Sequence, residues 1–152
     1  ITDSLLANYK YVIRAGEWGA YHPGELEAYG RFVERETTLF LLSDHRQTDP
    51  SDELAELLGV TFTGFQEGNV TRFVAHAITE GVAPVHYYTG AIAFAFDPGE
   101  VEIIAWVNDT FPAMGLIHSH SANIFFSGDT NIFESVPQPL LDNLIRWGFG
   151  QQ

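Results

Sequence analysis

The chain has 152 residues, 45% of them hydrophobic and 14% aromatic, which suffices for one domain with a real core and excludes a disordered tail. Its 20 acidic residues outnumber 7 Lys and Arg, with Lys10 the only lysine, and a net charge of -13 repels phosphate backbones, which argues against a nucleic-acid partner. Zero cysteines exclude disulfides, thiolate metal sites and a cysteine nucleophile, and no apolar run reaches the ~18 residues of a membrane span.

The first element in chain order is "KYVIRAG" (10–16), a run of β-branched and aromatic residues that stops at Gly16 and reads as a buried strand. After the aromatic loop "EWGAYHP", Pro23 opens a helical spacing of Leu26, Tyr29, Phe32 and Val33. "TTLFLLS" (37–43) is apolar almost throughout, as a central parallel strand covered on both faces should be. The following "DPSDELAELLGVTF" starts at a cap-like Ser51 or Asp52, repeats Leu54, Leu57 and Leu58, and stops at Gly59, completing a second βα unit.

From 60 to 107 the signals are β-rich: "VTFTGF", "TRFVAH", "HYYTGAIAFAF" and "VEIIAWV", punctuated by Gly, Pro and Asp-Pro-Gly. "NIFFSG" (123–128) reads as another buried strand. "VPQPLLDNLIRWGF" closes the chain as a helix with Leu140, Leu141, Leu144, Ile145 and Trp147 as its apolar stripe. The pattern predicts an α/β fold, a three-layer flavodoxin-like sandwich with a mostly parallel sheet and a β-rich insertion. There is no repeat and no linker, so residues 1–152 read as a single domain. Two sequons, at Asn69 and Asn108, would permit glycosylation of an exported chain.

The stretches "ITDSLLANYKYVIRAG", "ELEAYGRFVERETTLFLLSD", "LAELLGVTFTG", "AHAITEGV" and "FFSGDTNIFESVPQPLLDNLIRW", in this order over nearly the whole chain, resemble the class I glutamine amidotransferase-like superfamily. Within it they are most similar to the non-amidotransferase branch of trehalose-utilisation-type and intraflagellar-transport-type domains. The resemblance implies that a βα unit usually precedes the point where Ile1 stands. The domain would then lack its first strand or receive it from another chain, and an open sheet edge would favour association. It also implies that the catalytic members carry a cysteine on a glycine-flanked turn after the strand matching "TLFLL". Ser43 stands at that point, followed by Asp44 and His45, and the glycines are absent.

Four groups of residues are candidates for chemistry. Ser43 could act as a nucleophile with His45 or His76 as base and amides near Gly16 or Asp44 as oxyanion donors; the plainer role is a strand end bound to local amides. His118 and His120 in "LIHSHSAN" alternate, so on a strand they would face one side and, with Asp129, could hold a metal; solvent-facing hairpin histidines are the plainer role. Trp18 and Tyr21, with His22, lie on the loop after the first strand, where open α/β sheets bind ligands and aromatic faces could stack on a sugar. Gly128, Asp129 and Asn131 carry turn and cap chemistry and would line any pocket near Ser43. The Asp142-Asn143 pair in the closing helix is implied by the resemblance to tie helix to loop.

These readings converge on a non-catalytic amidotransferase-like binding or assembly domain of a larger, extracytoplasmic or multidomain protein. Its ligand would be a partner protein or a carbohydrate bound near Trp18, Tyr21, Ser43, His45, Asp129 and Asn131. Self-association is the other expected mode, and no cofactor is expected. The alternative is a serine hydrolase built on Ser43 with a His base, and a weaker one is metal-assisted hydrolysis through His118, His120 and Asp129.

Overall fold

The computed structural model describes residues 1–16, 20–44, 51–133 and 138–150. Trp18 and His45 lie outside the described residues.

Thr2 caps a short helix α1 (Asp3–Leu6), and strand β1 (Tyr11–Ala15) follows. Helix α2 (Pro23–Val33) starts from the N-cap His22, with Pro23 in its first turn and a Glu25 carboxylate reaching back to the His22 amide. It buries Tyr29, Phe32 and Val33 at the expected spacing. Strand β2 (Thr38–Leu42) leads to α3 (Glu53–Leu57), capped by Asp52, whose Oδ1 accepts from the Leu54 and Ala55 amides at 3.0 and 3.2 Å. Of the leucines repeated there, Leu54 and Leu58 are buried and Leu57 is exposed.

Four long strands come next: β3 (Val60–Phe73), β4 (Val85–Phe96), β5 (Val101–Val107) and β6 (Phe111–Ile117). The stretches "VTFTGF" and "TRFVAH" are one continuous strand, bent at Gly64 and Gly68, both with positive φ. Strand β7 (Asn123–Ser127), a 3-10 turn (Asn131–Phe133) and helix α4 (Gln138–Gly148) complete the chain.

All seven strands form one sheet in the order β1-β2-β7-β6-β5-β3-β4. Among the described residues β1–β2 and β2–β7 are parallel and the other four pairs are antiparallel. The expectation of a mostly parallel sheet is therefore corrected. Residues 60–107 are not an insertion beside the sheet but three of its strands, with β3 paired antiparallel to both β4 and β5. The β5–β6 turn is centred on Asn108 and Asp109, both left-handed, and so tight a turn can join only antiparallel neighbours.

The three layers are real. Successive residues of β7 point to opposite faces: Phe126 enters the core beneath α2 and α3, while Phe125 enters the core beneath α4. In β2, Leu39 and Leu41 go with the first core and Leu42 with the second. The α4 stripe is narrower than its sequence suggests. Leu140 and Leu144 are buried, but Leu141 and Ile145 are 39% and 41% exposed, on the flank that faces β1.

Candidate functional site

The carboxyl ends of the three parallel strands bring together Gly16, Ser43-Asp44 and Ser127–Asn131, the position at which open α/β sheets bind ligands. Here β1 contributes a buried charge. Arg14 is 7% exposed, and its Nη1 donates to Asp52 Oδ2 at 2.8 Å. The same oxygen accepts the Ser43 hydroxyl at 2.6 Å, while the other caps α3. One carboxylate thus joins the ends of β1, β2 and α3. The Arg14 guanidinium also lies over the Tyr21 ring, 5.0 Å from its centroid, and Tyr21 meets Tyr29 edge to face. Tyr21 therefore packs against the α2 core instead of presenting a free aromatic face.

A second polar knot forms at the end of β7. Asp129 is fully buried; its Oδ2 accepts from the Tyr88 amide at 2.6 Å and its Oδ1 from the Asn131 amide at 2.7 Å. The Thr130 hydroxyl donates to Asp44, which links the β7 loop to the end of β2. Strand β4 reaches this knot because the β3–β4 ribbon curls back until β4 meets β6 and the 3-10 turn. Tyr87 then lies fully buried beside Asp129 and Asp44. Burial first, then these two carboxylates, push its phenol well above the usual range, with the Gly128 backbone acting the other way. Gly90 completes the approach: a Cβ there would stand 2.5 Å from both Asp129 Cβ and Tyr87 Cε1.

The hydroxyl of Ser43 is thus enclosed, with the residue 0% exposed. His76 lies in the loop after β3, where its Nδ1 accepts from the Ile78 amide at 3.1 Å; no hydrogen bond joins it to Ser43 among the described residues. This is a loop histidine satisfied by its own backbone. The Asn143 side chain ties the same loop to α4, donating to the Ile78 and Glu80 carbonyls at 3.1 and 2.8 Å. The helix-to-loop role implied for the Asp142-Asn143 pair is visible in Asn143.

The three residues of the weaker metal alternative lie apart. His118 and His120 follow β6 and precede β7, whereas Asp129 follows β7, so a five-residue strand of roughly 16 Å separates them. Both rings lie in the connection, not on a strand: His118 pairs with Glu102 at 3.2 Å and His120 with Glu34 at 2.9 Å. No group of three or more metal-ligating side chains occurs among the described residues.

Arg14, Tyr87 and Thr130 belong to this region although no sequence motif singles them out. Arg14 does leave a signal. A lone arginine inside "YVIRA" must find a carboxylate if the strand is buried, although the sequence does not say which one.

No protein-family model matches the chain, and no curated protein matches it. Solved structures do. The mmIFT52 N-terminal domain has a TM-score of 0.76 at 14% identity, covering 96% of this chain and 80% of that one. A GMP synthase-like protein from Thermoplasma acidophilum has 0.68 at 12% identity, covering 99% and 78%. A ThuA-like protein from Bacteroides uniformis has 0.63 at 15% identity, covering 96% and 71%. The chain has a class I glutamine amidotransferase-like α/β fold.

Proposed function

We propose that the chain is a non-catalytic amidotransferase-like domain that serves as a binding or assembly module of a larger protein, with a partner protein as its ligand and a carbohydrate as the other candidate. The observation that carries this reading is the state of Ser43, which is fully buried and hydrogen-bonded to a carboxylate that already holds Arg14. A nucleophile needs an accessible oxygen and a base that takes its proton. Asp52 instead commits its oxygens to Arg14 and to capping α3. Asp129 is likewise occupied by two amides, so the carboxyl end works as a clasp between β2, β4 and β7. The likeness to an N-terminal domain of mmIFT52, itself a part of a longer protein, supports the modular reading.

The test is intact mass after exposure to a fluorophosphonate probe, run in parallel on Ser43→Ala. No adduct is expected on either protein. A single adduct that disappears in Ser43→Ala would establish an activated serine and overturn the proposal.

A further inference from the structure

Among the described residues three other than glycine have a left-handed backbone: Thr89 (φ 53°), Asn108 (φ 49°) and Asp109 (φ 60°). Asn108 and Asp109, at the tip of the β5–β6 hairpin, are backed by their own side chains. Asn108 accepts from the Asn69 amide and donates to the Glu67 carbonyl, and Asp109 accepts the Thr71 hydroxyl. Thr89 has no such support. It is exposed and makes no side-chain hydrogen bond among the described residues, and a β-branched residue resists this conformation more than most. The backbone is forced into it from both sides. Between the pairs Gly68–Tyr87 and Gln66–Gly90, Tyr88 and Thr89 stand opposite Glu67 alone, so β4 carries one residue too many. The Tyr88 amide leaves the ladder for Asp129 Oδ2 at 2.6 Å, and Gly90 passes so close that a Cβ would lie 2.5 Å from the Asp129 Cβ.

We infer that Tyr88–Gly90 is a strained strap over Asp129 that opens locally, without unfolding of the sheet, and so admits solvent or a ligand to a carboxylate at the carboxyl end of the parallel strands. Strain of this kind persists only where the surroundings impose it, and here Asp129 imposes it through its bond to Tyr88 and its contact with Gly90. Breaking the Tyr88–Asp129 bond lets Thr89 return to an extended conformation, and the relief of strain offsets part of the cost of opening. The flanking residues confine the movement to the strap. Sliding β4 by one residue would turn the fully buried Tyr87 to solvent and His86 inward, so the strand does not move as a whole. The outer side of the strap is open: Thr89 is exposed, Tyr88 is 40% exposed, and the Tyr88 ring meets that of His86 in the same strand. After opening, Asp129 Oδ1 keeps the Asn131 amide, while Oδ2 can take a hydrogen-bond donor from water or a ligand in place of the Tyr88 amide.

Native-state hydrogen exchange in a series of low urea concentrations, followed by nuclear magnetic resonance on the full chain, tests this. The Tyr88 amide is expected to exchange through an opening that depends little on urea, whereas the Leu41 amide of the central strand β2 exchanges only through global unfolding. Thr89→Gly removes the strain of the closed strap and should slow Tyr88 exchange several-fold. Thr63→Gly is the control. Thr63 is an exposed residue of β3 outside the left-handed set, so glycine there should instead speed Leu41 exchange several-fold. Tyr88 exchange that follows the urea dependence of Leu41 overturns the inference, because the strap then opens only with the sheet. Tyr88 exchange that Thr89→Gly speeds or leaves unchanged overturns it too, because the closed strap then holds no strain. Neither outcome touches the state of Ser43, which the probe experiment reads separately.

Discussion

Ser43 donates its hydroxyl to Asp52 Oδ2 at 2.6 Å, and Arg14 donates to the same oxygen at 2.8 Å. Both ends of the Arg14–Asp52 pair are more than nine-tenths buried. Removing one partner should therefore cost far more than a surface ion pair would. Asp52→Ala is expected to lose roughly 3–5 kcal/mol, because it removes the carboxylate of a buried ion pair and uncaps α3. Ser43→Ala should lose about 1 kcal/mol. Urea unfolding measures both, and Arg14→Met should recover part of the loss in the Asp52→Ala background.

Tyr87 makes stability sensitive to alkali. Its folded-state phenol lies well above the unfolded value of about 10, for the reasons of burial and neighbouring carboxylates given above. The native state thus keeps a proton that the unfolded chain has released. Its contribution is complete below about pH 10 and is lost as pH climbs toward the folded value. Tyr29, raised mainly by burial, acts in the same direction. Urea midpoints taken from neutral pH upward should fall above about pH 10, and less steeply in Tyr87→Phe.

The hydrogen bond from the Tyr88 amide to Asp129 ties β4 to the end of β7. Asp129→Ala should cost about 1–3 kcal/mol and speed exchange of the Tyr88 and Asn131 amides ahead of those in β2. Hydrogen exchange followed by nuclear magnetic resonance reads this directly. Unchanged protection of Tyr88 would mean that the clasp lies elsewhere.

Gly90 has no room for a methyl group. Gly90→Ala would drive a Cβ into Asp129 and Tyr87 and should lower stability by about 1–3 kcal/mol, whereas Gly30→Ala, with nothing within 4 Å, should not destabilise. Thermal melts of the two variants compare a crowded glycine with an open one. Equal melting temperatures would refute the close packing of β4 on the β7 loop.

Helix α2, the Asp52 cap and the apolar strands β2 and β7 are all legible in the sequence because their signals are local: a proline in the first turn, a carboxylate before an amide, a run of large apolar residues. Strand β6 is not. Pro112 and Gly115 interrupt its pattern, and Gly115 is there because a Cβ would stand 2.6 Å from the Glu102 carbonyl and the Phe126 ring, contacts made only once three strands are paired.

Local patterning was enough for most of the elements, for the two-sided core and for the resemblance that the fold comparisons bear out in outline. Which way the strands run and which polar residues meet came from the assembled sheet, because strand direction depends on pairing partners far apart in the chain. The intervening strand β7 sends His118 and His120 to one end of the sheet and Asp129 to the other. The same long-range pairing places Arg14, 38 residues before Asp52, within reach of the carboxylate that also takes the Ser43 hydroxyl. A candidate nucleophile in the sequence is, in the fold, a buried donor.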